Sequence, residues 1–159
     1  STIKGIVEIG RTEASLYIAP QTDYLIYFPS STAPPSYQNS VTDIYFSGLD
    51  TLDINYLILQ YHQWFETFVM YNDSAIARGG FLSYLDTFKF YATDAYKEIE
   101  DPFFITYVRY DIAEMEQTYG GNRTSEMRLK TFMDYIEPFP LYYENDRYMK
   151  FILAFYDFT

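Results

Sequence analysis

Apolar and polar positions alternate with a period of two at the start of the chain. Ile3, Gly5, Val7 and Ile9 fall on one side, and Lys4, Ile6 and Glu8 on the other. Successive side chains of a strand point to opposite faces, so this spacing predicts a strand over residues 3–9. Residues 10–13 can turn it into a second run, 14–19, and Pro20-Gln21-Thr22-Asp23 can turn that into a third, 24–28. Three β-rich runs about ten residues apart predict an antiparallel meander. Residues 29–42 are rich in Pro, Ser and Thr and read as a loop, with a short strand at 43–46 beyond it.

The period then changes. Leu57, Tyr61, Trp64, Phe65, Phe68 and Tyr71 recur at helical spacing and predict a helix near 53–71, with Asp50 or Asp53 as its N-cap. Asn72-Asp73 is expected to end it, and Gly79-Gly80 to separate it from the next. Residues 81–100 form a second helical pattern, with Phe81, Leu85, Phe88, Ala92 and Tyr96 on one stripe. Pro102 stops that pattern, because the residue before a proline is pushed out of the α region. Residues 103–112 have strand composition and 113–119 helical composition. Ser125 reads as the cap of a helix ending near 135–136, followed by Pro138 and Pro140. Residues 147–158 are apolar nearly all round, which suits a buried strand or a buried helix, and the reading leans to strand. The expected architecture is α+β in one domain, 1–159: an antiparallel sheet from the N-terminal meander, joined by 103–112 and the C-terminal run, packed against three or four helices.

Composition sharpens this picture. The chain has nineteen Tyr, fourteen Phe and one Trp among 159 residues. Each Tyr can bury its ring and keep its hydroxyl at a wet boundary, so such a surplus points to contact-making surfaces. The net charge of −11 repels a nucleic-acid duplex or an anionic membrane and steers a basic protein inward. Without Cys there is no disulfide, thiolate zinc site or cysteine nucleophile. No apolar run is long enough to span a bilayer. Ser1 has the small side chain that removal of an initiator Met leaves, and no signal peptide is visible, so synthesis in the cytosol is the expectation.

Candidate chemistry is sparse. His62 is the one histidine, with Glu66 a helical turn away on the same face. That pair could act as acid and base or bind a metal, but no second His or Cys completes a zinc site. His62 is therefore expected to be a peripheral side chain, with His62→Gln costing no more than about 0.5 kcal/mol. Carboxylates cluster at Glu98, Glu100 and Asp101 and at Asp111, Glu114 and Glu116. They suit a solvated acidic face, an imitation of nucleic-acid phosphates, or a carboxylate-based active site. No Gly-rich phosphate loop or Gly-x-Ser-x-Gly elbow is present. Pro34-Pro35-Ser36-Tyr37 resembles the PPxY ligand of WW domains. Thr32-Ala33-Pro34 resembles part of the late-domain peptide of enveloped-virus matrix and Gag proteins, although Ser31 stands where that peptide has Pro. The resemblance implies WW-domain binding through Pro34, Pro35 and Tyr37; otherwise the stretch is a proline-stiffened loop.

These observations point first to a non-enzymatic structural or interaction protein within a larger assembly, such as a virion or phage component, working through protein partners and without a cofactor or metal. The alternative is an acidic inhibitor of a basic partner, a nucleic-acid mimic or an anti-defence or immunity protein, with Glu98, Glu100 and Asp101 in its acidic surface. A carboxylate-based enzyme comes third.

Overall fold

Strands β1 (Ile3–Ile9) and β2 (Thr12–Ile18) form an antiparallel ladder, with Ile3 opposite Ile18 and Ile9 opposite Thr12. This register places Ile3, Gly5 and Val7 across from Ile18, Leu16 and Ala14, and Ala14 and Leu16 are buried. Gly5 leaves the space the larger residues need: a Cβ there would lie 2.8 Å from Ile18 Cδ1. The computed structural model describes residues 2–9, 12–28, 40–41, 44–120 and 124–157. It divides into two compact units, residues 1–58 and residues 59–159. Together they make an α+β protein.

In the first unit β2 is the central strand. One edge carries β1. At one end of the other edge lies β4 (Ser40–Val41), parallel to β2. Further along that edge a side chain stands in for a strand. Asn55 Oδ1 accepts from the Tyr17 N–H at 2.7 Å, and Asn55 Nδ2 donates to the Tyr17 carbonyl at 2.7 Å. A carboxamide offers the same donor and acceptor as a peptide unit, so one residue satisfies both groups. The expected three-strand meander therefore ends after two strands. The third run, β3 (Leu25–Tyr27), pairs antiparallel with β5 (Tyr45–Ser47) in a separate two-stranded sheet.

Asp53 is the N-cap of α1 (Ile54–Ala75). Its Oδ1 accepts from the Asn55 N–H at 2.8 Å, and its carbonyl takes the first helical bond from Leu57 at 2.9 Å. Its other carboxylate oxygen accepts from the Tyr24 hydroxyl at 3.1 Å, which in turn accepts from the Ala19 N–H at 3.2 Å. One short polar chain thus ties the end of β2 to the start of α1.

The second unit is helical. The α1 helix runs past its expected stop because Asn72 Nδ2 bonds back to the Phe68 carbonyl at 2.8 Å instead of capping. A π-helical turn (Ile76–Gly80) follows, and Gly79 at φ +90° breaks the helix there, in a conformation that favours glycine. Helix α2 (Phe81–Ala95) folds back on α1 and drives Phe88 among Tyr61, Trp64, Phe65 and Phe68, with centroid distances of 4.8–5.9 Å.

Two expectations are corrected here. Residues 103–112 are not a strand: they belong to α3 (Pro102–Tyr119). Asp101 caps this helix by accepting from the Phe104 N–H at 2.8 Å, and Pro102 takes the first helical position, where its missing N–H costs nothing. The C-terminal run is likewise α5 (Asp146–Tyr156), capped by Asn145, which accepts from the Tyr148 N–H at 3.1 Å. Helix α4 (Ser125–Tyr135) stands as expected, but its cap is Thr124, one residue earlier than Ser125. Tyr110 of α3 then packs against Tyr148 and Phe151 of α5 at 4.9 and 5.3 Å. No helix among the described residues is long and apolar enough to cross a membrane.

Asn55→Ala is expected to destabilise the protein by about 2–4 kcal/mol, because it strands a buried donor and acceptor of Tyr17 together. Asn72→Ala, whose bond only supplements a helical turn, should stay within about 0.5 kcal/mol. Urea denaturation of the two variants checks this; equal costs would remove the strand-substitute role from Asn55.

Candidate functional site

Three helices of the second unit bring their polar residues to one place. His62 comes from α1, Tyr107, Asp111 and Glu114 from α3, and Arg147 from the first turn of α5. His62 Nε2 lies 2.7 Å from the Tyr107 hydroxyl, and Arg147 Nε donates to the same oxygen at 3.1 Å. An arginine can only donate, so the phenol oxygen accepts there, and the direction of its contact with His62 Nε2 depends on the imidazole tautomer.

Asp111 sits behind this contact. It is buried, with one carboxylate oxygen 3.2 Å from Arg147 Nε and the other accepting from the Tyr61 hydroxyl at 3.0 Å. Glu114 takes Arg147 Nη1 at 3.4 Å on one oxygen and Lys150 on the other. His62, Asp111, Glu114 and Arg147 form the polar end of a groove of about 410 Å³ whose other wall is largely apolar, including Phe65, Val69 and Met115, with Phe81 and Tyr119 packed ring on ring at 4.2 Å.

Burial lowers the His62 pKa below its ordinary value, and Arg147 pushes the same way; Asp111 and Glu66 pull against them without winning. Burial also raises Tyr107 and Tyr61, and Asp111 raises Tyr61 further. Burial alone would lower Arg147, but Asp111 and Tyr107 overcome it and keep the guanidinium charged. At neutral pH the cluster is a neutral imidazole, two neutral phenols and mutually balanced charges.

His62 is therefore not peripheral. It is partly buried, lines a groove and shares it with two carboxylates. The sequence suggested Glu66 as its partner; the hydrogen bond is made instead with Tyr107, 45 residues away. The second acidic group does not form a solvated face. Asp111 and Glu114 are tied to Arg147, and Glu116 accepts from Lys89 at 3.1 Å and from the Tyr135 hydroxyl at 2.7 Å. In the first acidic group, Asp101 is occupied as the α3 cap, whereas Glu98 and Glu100 are exposed. Pro34, Pro35 and Tyr37 lie outside the described residues. No set of three or more His, Cys, Asp or Glu side chains suited to a metal ion occurs among the described residues.

Chemically, Nε2 of His62 is engaged with the Tyr107 hydroxyl, and neither phenol is activated toward phenolate. Comparison with known proteins finds no matching family model, curated protein or solved structure. The functional reading rests on the residues themselves.

A pH dependence follows from His62. Its folded pKa lies below the unfolded 6.5, so between the two values the unfolded chain binds a proton that the native state does not. Stability is then fully present above pH 6.5 and falls as the pH drops through that window. Since His62 is the single histidine, His62→Gln should flatten the stability profile between about pH 7 and 5.5. The variant should also lose about 1–2 kcal/mol at pH 7.5 from the disturbed Tyr107 contact. Denaturant midpoints across that range measure both; a wild-type profile that is flat there would remove His62 as the cause.

Proposed function

We infer that this is a non-enzymatic interaction protein that works inside a larger protein assembly. The observation that carries this reading is the outer face of α4 and α5. Helix α5 buries Tyr148, Phe151 and Phe155, yet Leu153 and Tyr156 stand 64% and 60% exposed. Helix α4 buries Tyr135 and leaves Leu129 and Met133, one turn apart, 62% and 52% exposed. The two helices touch through Phe132 and Phe155, with ring centroids at 6.5 Å. Scattered surface apolar residues are normal; exposed apolar pairs at helical spacing on two adjacent helices are a form a protein contact takes. The mutual pairing of His62, Tyr107, Asp111 and Arg147 supports the non-enzymatic part of the reading.

The acidic-inhibitor reading would rest on Glu98 and Glu100, which are exposed, since Asp101, Asp111, Glu114 and Glu116 have internal contacts. A histidine- and carboxylate-based enzyme is the second reading, favoured by the shared groove of His62, Asp111 and Glu114. Its reacting group would have to displace the Tyr107 hydroxyl.

The expected behaviour is concentration-dependent self-association. Leu129→Lys and Leu153→Asp should each weaken it at least tenfold while leaving the monomer folded, because a charge would enter an apolar contact. Sedimentation velocity from micromolar to near-millimolar protein checks this. A monodisperse monomer across the range, identical in both variants, would overturn the assembly reading.

A further inference from the structure

A second groove, of about 360 Å³, opens between α2 and α3. Ala92, Phe104 and Ile112 are buried along it, and Val108 and Ile105 carry its apolar wall toward solvent. Small-ligand sites typically take this form, a largely apolar concavity with a few converging polar groups. The polar groups here include Tyr96, Lys89, Lys97 and Arg109. Lys89 is committed to Glu116 and Tyr135, and Lys97 meets Asp94 at 3.0 Å. The other two differ. Among the described residues the Tyr96 hydroxyl makes no hydrogen bond, and no carboxylate lies within ion-pair distance of Arg109.

Both groups are held in place without being neutralised. The Arg109 guanidinium stacks on the Phe139 ring at 4.0 Å, and a stacked guanidinium keeps its N–H donors in the plane, free to meet an anion. The Tyr96 ring is fixed by Phe104 at 4.9 Å and Trp64 at 6.1 Å, and burial raises its pKa, so it remains a hydroxyl donor. Among the described residues Arg109 thus has no carboxylate partner, and it stands beside an apolar trough that a ligand's chain can occupy. The geometry points to a binding site for an amphipathic monocarboxylate, a medium-chain fatty acid, with its carboxylate on Arg109 and the Tyr96 hydroxyl and its chain along Phe104, Val108 and Ile112. This goes beyond the assembly reading and does not depend on it, since the groove lies between other helices.

Titration of the full chain with sodium dodecanoate below its micelle concentration, followed by ¹⁵N-HSQC and calorimetry, tests the site. Saturable shifts centred on residues 92, 96, 108 and 112 are expected. Arg109→Gln and Tyr96→Phe should each weaken binding by about fivefold, the effect of losing one partly exposed polar contact. Val108→Trp should fill the trough and abolish binding. Dodecyl maltoside, with the same tail and no charge, should not compete. Absence of saturable binding, equal binding of the maltoside, or unchanged affinity in both Arg109→Gln and Tyr96→Phe would overturn the proposal. Those two variants decide the matter even if Val108→Trp fails to fold.

Discussion

The buried Asp111 carboxylate constrains the helical unit more than any other group. A carboxylate taken out of water must find compensation, and here it comes from two other helices: the Tyr61 hydroxyl of α1 and the Arg147 guanidinium of α5. Removing one partner of such a pair costs about 3–5 kcal/mol, whereas an apolar replacement of the whole set can be neutral. The pair is therefore better understood as a register device than as a source of stability. Three helices can satisfy Asp111 together only in one mutual arrangement. That arrangement also brings His62 and Tyr107 into contact and aims Glu114 at Lys150.

Tyrosine explains how so aromatic a chain can be specific. A core of Phe alone would pack by volume and tolerate slippage, whereas a buried phenol demands a partner at a fixed distance. The Tyr110 hydroxyl donates to the Tyr135 carbonyl at 2.8 Å, and burial pushes the Tyr110 pKa up to about 12. The Tyr135 hydroxyl is held in turn by Lys89 and Glu116. In the N-terminal unit the Tyr24 hydroxyl performs the same service between Ala19 and Asp53. Ring burial supplies the cohesion in each case, and the hydroxyl selects the register.

The elements that were legible in the sequence are those whose period and termini agree. Residues 3–9 alternate cleanly, and the α1 and α2 stripes converge on Phe88 as their spacing requires. The two misread segments, 103–112 and 147–158, are rich in Phe, Tyr and Ile, a composition shared by strands and by helices buried on several sides. Their caps were in plain view, Asp101-Pro102 and Asn145-Asp146, and weighed more than composition. The meander failed for a different reason: a side chain, Asn55, occupies the strand edge that β3 would have used. The partners of His62 could not be read at all, since Tyr107 and Arg147 approach it only once α3 and α5 are recognised as helices.

The charge of −11 separates the two surfaces proposed for this protein. Copies of so acidic a chain repel one another, and contact through Leu129, Met133, Leu153 and Tyr156 must overcome that repulsion. Salt screens charges over roughly 8–10 Å at moderate ionic strength and strengthens apolar association by default. At the α2–α3 groove the sign reverses. There Arg109 attracts a carboxylate, so screening removes part of the attraction and leaves only the tail's apolar contact. The self-contact should thus tighten with added salt while the carboxylate site loosens. Opposite salt responses from one molecule would follow from the apolar character of the α4 and α5 contact and from the guanidinium of Arg109 beside the groove.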